Sequence, residues 1–264
     1  MNHVTATLTL YKDALVGAFG AWNRSWLALL LLFVASMILG VAAPLLAPLG
    51  LAGGFIMGAI TAFLTGAYFT LISDASTSRR ALGVSDVRDA LGGELFFPIW
   101  VQGFYIGLPL LILSLLGQPL LALGAALLAM VVLNPAYEVL VVERVDPWSS
   151  LTRSVSFMQS NWPEWGVFNL VLGGLSAAAL TLLPTITPWS WLSQAFPVMI
   201  SFSPVGDIFV PVHPMLVLAN PQMVLSTLVM LPLVHAGFLA RQHLFRSLNR
   251  SSRRTRAWQS RMNG

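Results

Sequence analysis

Six long apolar runs constrain this sequence more than anything else in it. They lie at about residues 26–46, 51–72, 97–116, 119–142, 165–183 and 215–240. Each is close to the ~20 residues that an α-helix, rising ~1.5 Å per residue, needs to cross a hydrocarbon core. Composition points the same way. Only 9% of the chain is charged and 56% is hydrophobic, whereas a soluble domain carries roughly 25% charged residues. So little charge cannot cover a water-exposed globule of this size, which argues against a soluble enzyme, a disordered chain or a nucleic-acid-binding domain. The expectation is an all-α, polytopic transmembrane helix bundle, with residues 1–264 forming a single integral membrane domain of six spans.

The connections between the runs give that bundle a predicted orientation. Spans one and two are joined through Pro44, Pro48 and Gly50, and spans three and four through Gly117-Gln118-Pro119, so each pair reads as a tight hairpin. The run from Trp26 to Val41 resembles a signal-peptide core, but a second span follows at once, which argues against cleavage. Lys12 and Arg24 precede span one, and Arg79, Arg80 and Arg88 lie between spans two and three. Arg144 and Arg153 lie between four and five, and seven Arg follow span six. The other three connections hold no basic residue. The positive-inside rule then puts both termini in the cytoplasm, and the localisation expected is a bacterial inner membrane.

Apolar residues at helical spacing stand before alternate spans. Leu15, Phe19, Trp22 and Trp26 share one helix face through the entry segment 10–25 and into the start of span one, as do Val84, Val87, Leu91 and Leu95 before span three, and Leu151, Val155, Met158 and Trp162 before span five. Cytoplasmic amphipathic helices, lying in the membrane interface, are therefore expected ahead of spans one, three and five. Between spans five and six, residues 185–214 are rich in proline and aromatics and read as an outer interfacial cap, lid or docking surface. Trp22, Trp26, Trp162, Trp165, Trp189 and Trp191 are the candidate interfacial anchors.

Few groups remain that could carry chemistry. Ionisable side chains inside spans are functional candidates by default, and Glu138 and His235 are the two that qualify. Glu138 has Arg144 and Arg153 as expected partners, or pairs with His235 if spans four and six adjoin. Asn134 and Asn220 each precede a proline, a pairing that kinks a helix and supplies an amide to the freed backbone. These four form the candidate intramembrane polar site. Gly50, Gly54 and Gly58 recur every fourth residue, a face that admits close helix approach. The basic tail, 241–264, places Arg241, Arg246, Arg250, Arg253, Arg254 and Arg256 as candidate contacts for anionic headgroups of the cytoplasmic leaflet. It is not read as a nucleic-acid site. With no cysteine, no HExxH, GxSxG or Walker loop, and four scattered histidines, no catalytic residue, metal or cofactor is expected.

Asn134-Pro135-Ala136-Tyr137-Glu138 through Glu143-Arg144, then Pro147-Trp148-Ser149-Ser150-Leu151-Thr152-Arg153-Ser154 and Asn161-Trp162, resembles the membrane domain attached to some glycerophosphodiester phosphodiesterases and related six-helix bacterial membrane proteins. The resemblance implies a membrane module and carries over no activity, because no phosphodiesterase domain accompanies it. The leading expectation is a non-catalytic structural, assembly or lipid-interacting subunit of a larger membrane complex, with lipids and other membrane subunits as partners. The alternatives are a small-molecule or lipid transporter using Glu138 and His235, and, last, a membrane-embedded enzyme.

Overall fold

The computed structural model describes residues 3–181 and 221–250. The expectations placed on 185–214, Trp189, Trp191, Asn220, Arg253, Arg254 and Arg256 lie outside those residues. Every regular element described is helical: α1 (His3–Trp22), α2 (Trp26–Leu46), a 3-10 turn (Ala47–Leu49), α3 (Leu51–Thr77), α4 (Val84–Ala90), α5 (Phe96–Leu115), α6 (Pro119–Val132), α7 (Ala136–Glu143), α8 (Pro147–Thr181) and α9 (Pro221–Arg250).

Local sequence explains the breaks. After α2 the chain turns through Pro48 and through Gly50 at φ 55°, a left-handed value that favours glycine. Gly53 lets α3 return close against that turn, since a Cβ there would stand 2.0 Å from the Leu46 carbonyl oxygen. Gly117 at φ 69° makes the corresponding reversal between α5 and α6. Both hairpins are as the sequence implied.

Among the described residues, four helical stretches are long and apolar enough to cross a membrane: Trp26–Leu49, Leu51–Thr77, Phe96–Leu115 and Leu228–Arg250. A fifth is added if α6 and α7, bent by 43° across their break, are one broken span. The break follows from Asn134-Pro135, because proline has no N–H to continue the ladder. The sequence reading separated an amphipathic helix near 147 from a span beginning at 165. The protein joins them into one helix of 35 residues, about 52 Å long, with Pro163 carried inside it.

In α1 the face turned inward is the small one. Ala14, Ala18 and Ala21 are buried, whereas Leu15 and Phe19 are exposed, and the alanine side packs on α9, the most extensive helix pairing among the described residues. Alanines permit close backbone approach, and the bulky face is left exposed. Around α9 are gathered α1, α2, α3, α7 and α8, with Phe238, Leu239, Leu244 and Phe245 fully buried. At one end of the bundle the Leu82 N–H donates to the Arg24 carbonyl at 2.9 Å. Arg246 there donates to Ser73 Oγ at 3.0 Å, and Asn249 to Glu143 at 3.1 Å. The connections carrying Arg24, Arg79, Arg80 and Arg144 therefore share an end with the C-terminal part of α9.

Candidate functional site

Two polar clusters hang on α9 inside the bundle. The first is built around the broken helix. Glu138 lies in the first turn of α7, where the helix dipole favours a carboxylate. Its Oε1 accepts from Arg241 Nε at 2.7 Å, and both side chains are at most 1% exposed. A second nitrogen of Arg241 donates to the Asn134 carbonyl at 2.9 Å, within the break that leaves backbone acceptors without helical partners. The Asn134 side-chain oxygen accepts from Trp165 Nε1 at 2.8 Å. The guanidinium also lies over the rings of Trp165 and Phe238, 5.0 and 5.5 Å from their centroids. Arginine suits this place because its planar fork binds carboxylate, carbonyl and aromatic faces together.

The second cluster lies about one and two-thirds turns back along α9. His235, 1% exposed, contacts Ser25 Oγ at 2.9 Å through Nε2 and Tyr68 Oη at 3.1 Å through Nδ1. Trp22 covers the ring at 5.3 Å between centroids. The histidine thus links the α1–α2 corner to the middle of α3.

Of the predicted polar site, Glu138 and Asn134 come together. His235 does not pair with Glu138: it is occupied by Ser25 and Tyr68 instead. The expected partners of Glu138 are also corrected, since Arg153 pairs with Glu143 and Arg241 takes the carboxylate. That removes Arg241 from the headgroup contacts, because an arginine held at 1% exposure cannot reach a membrane surface. Arg246 is partly buried against Ser73, and Arg250 is exposed. Trp165 is corrected likewise: at 0% exposure it is a core ring hydrogen-bonded to Asn134, not an interfacial anchor. Trp26 and Trp162 remain exposed, and Trp22 is half-buried.

Ser25 and Tyr68 are site residues that sequence reasoning missed, and Arg241 is one that it assigned to the membrane surface instead. For Arg241 a signal existed. Leu244, Phe245 and Leu248 repeat at i+3, i+4 and i+7 from it, so the buried face of α9 runs past the first arginine of the presumed tail. Ser25 and Tyr68 carry no comparable local mark.

Two apolar grooves open elsewhere on the described surface. One, of about 600 Å³, runs between α3 and α5, and the other, of about 650 Å³, lies among α1, α8 and α9. Neither is lined by Glu138, Asn134, His235 or Arg241. No group of three or more His, Cys, Asp or Glu able to hold a metal is found among the described residues. Comparison with family models, with curated proteins and with solved structures finds no match for this chain.

Proposed function

We propose that this chain is a non-catalytic, multi-pass protein of the bacterial inner membrane, with both termini cytoplasmic, acting as a structural or lipid-interacting subunit of a larger membrane complex. One observation supports this most. Glu138 and His235 are each bound by buried side chains, and neither lines the two apolar grooves described above. A site that moved ions or turned over substrate would need its polar groups to face a wet cavity. Arg250 and the arginines that follow it are the part of the chain this reading assigns to anionic headgroups, at about 1 kcal/mol per residue near the surface. Nucleic acid has no place in it. The test is solubilisation of the full chain from native membranes in mild detergent. A stoichiometric membrane-protein partner or retained lipid is expected. A lone, lipid-free monomer contradicts the reading.

The transporter reading is favoured by a separate observation. Glu138 Oε2 has no hydrogen-bond partner among the described residues, and it sits beside a broken helix of the kind that lines transport sites. Under that reading, Glu138→Gln abolishes flux in proteoliposomes; unchanged flux removes Glu138 from any transport mechanism.

A further inference from the structure

Unpaired polar atoms gather at one junction of the bundle. Eight buried side-chain nitrogens and oxygens have no hydrogen-bond partner among the described residues, and five of them belong to Arg24, Gln242, His243 and Arg246. Folded proteins leave few such groups, and a cluster of them marks a place where water or an ion binds. Gln242 is 0% exposed, and neither atom of its amide is paired among the described residues. The other three are Nε of Arg24, Nε of Arg246 and Nε2 of His243.

Helix geometry brings these side chains to one place. His235, Gln242 and Arg246 stand at i, i+7 and i+11 on α9, and so share a face. That face meets Ser25 through His235 and Ser73 through Arg246, which puts Gln242 between the two contacts. His243 adjoins it and fits against α1 because residue 17 is glycine: a Cβ there would stand 2.7 Å from His243 Nδ1. The charges of Arg246 and Arg24 both act on the His243 ring, and Arg24 directly precedes Ser25 at the α1–α2 corner.

Charge then selects the occupant. Water could meet the hydrogen bonds but would neutralise nothing. Asp74 is the carboxylate that acts on Arg246, yet among the described residues no ion pair joins it to either arginine. Its charge is also shared by Arg144 and Arg80. The chain beyond Arg250 contains no Asp or Glu. An oxyanion with several oxygens accepts from four separate side chains at once, and the planar fork of arginine matches phosphate.

From these observations we infer that the junction of the α1–α2 corner with the C-terminal half of α9 is a phosphate-binding site. Arg24 and Arg246 donate to the oxygens of a phosphate group, and the Gln242 amide and His243 Nε2–H complete its donors. A lipid headgroup or a small solute brings the phosphate; the chemistry that binds it is the same. The inference goes beyond the subunit reading and does not depend on it.

The test uses the full chain, delipidated in detergent, and follows thermal unfolding at constant ionic strength. One arm adds inorganic phosphate, with chloride and acetate as comparators. The other adds short-chain phosphatidic acid, with the matching diacylglycerol as comparator. A phosphate ligand is expected to raise the melting temperature saturably, because it binds the folded state, while the comparators do not. Stabilisation by phosphatidic acid at concentrations where inorganic phosphate has no effect assigns the site to lipid; equal effects assign it to a soluble phosphate. Arg24→Gln and Arg246→Gln should each weaken the effective ligand by about tenfold or more, the scale of one hydrogen bond to a charged group. Arg79→Gln, which removes the same charge from an exposed position before α4, should leave binding unchanged. The wild-type arms decide the matter even if a glutamine variant fails to fold. No stabilisation by either phosphate ligand beyond its comparators overturns the inference, as does equal weakening by Arg79→Gln. Such a failure leaves the subunit reading standing, which falls instead to a lone, lipid-free monomer.

Discussion

The outer helix α2 and the inner helix α9 reverse the arrangement of a water-soluble protein. The segment beginning at Trp26 has a mean hydropathy of 2.6 but is only 28% buried, whereas the segment ending at Arg250 has a mean hydropathy of 1.2 and is 67% buried. In water the most apolar helix would occupy the core. Here the polar helix does, carrying His235, Arg241 and Gln242 inward at no more than 1% exposure, while the leucine-rich helix faces out. The difference is the one expected of a chain whose solvent is hydrocarbon. Apolar side chains then lose nothing by remaining outside, and His235 and Arg241 are placed where they find partners.

The comparison is broken most forcefully at the buried ion pair. Arg241→Met leaves Glu138 charged without its arginine within the bundle, and Glu138→Ala leaves the guanidinium without its carboxylate. Either should cost about 3–5 kcal/mol, the usual penalty for removing one partner of a buried pair. The double variant Glu138→Leu/Arg241→Met should recover much of that loss. Denaturant unfolding in detergent micelles or nanodiscs checks both expectations. A loss in the double variant equal to the sum of the two single losses would mean that the pair is not coupled.

A smaller effect distinguishes adjacent glycines facing opposite ways. Gly53→Ala drives a methyl into the Leu46 carbonyl oxygen and should cost about 1–3 kcal/mol, as overpacking does. Gly54→Ala enters open space and should be neutral or stabilising by up to ~1 kcal/mol through helix propensity. Thermal unfolding of the two variants side by side tests whether burial in the α2–α3 hairpin alternates as described.

Least in magnitude is a surface effect outside the spans. The Asp86 carboxyl is held below its ordinary range, first by the Arg80 side chain and then by the Gly83 N–H, at the N-terminus of α4. A depressed folded-state pKa means that the carboxylate contributes above the unfolded value, about 3.9, and that the contribution is lost as pH falls through the folded value. Amide-exchange protection over 84–90 should therefore weaken below about pH 4, and this loss should be absent in Asp86→Asn. A pair this exposed adds little to global stability.

Much of the architecture was legible because membrane spans are written in composition and length. The two hairpins could be read from Pro48, Gly50 and Gly117, and the broken helix from Asn134-Pro135. Less legible was where α8 begins and α9 ends. The polar and apolar parts of α8 differ in composition but not in backbone, and Pro163 did not divide them. The end of α9 was misplaced because the first arginine of the presumed tail looked like a surface charge. Within the candidate site, Glu138 and Asn134 were identifiable as intramembrane polar groups. Their partner was not, because Arg241 lies 103 residues away from Glu138 in sequence, and pairing at such a distance is decided by helix packing. Ser25 and Tyr68 were hidden for the same reason, since a serine at a helix corner and a tyrosine within a span are ordinary until a histidine meets them.

The central claim, that a polar helix forms the core of a bundle clothed in apolar ones, is open to direct measurement because the chain contains no cysteine. Single cysteines at Val34, Leu108 and Phe238 should be challenged in native membranes with a water-soluble maleimide and with a lipid-soluble one. Cysteines at Val34 and Leu108, exposed on α2 and α5, should react only with the lipid-soluble reagent. A cysteine at Phe238, 1% exposed on α9, should react with neither until the protein is denatured. Ready labelling at 238 by the aqueous reagent, with α2 and α5 protected from both, would show the reverse arrangement and contradict the account.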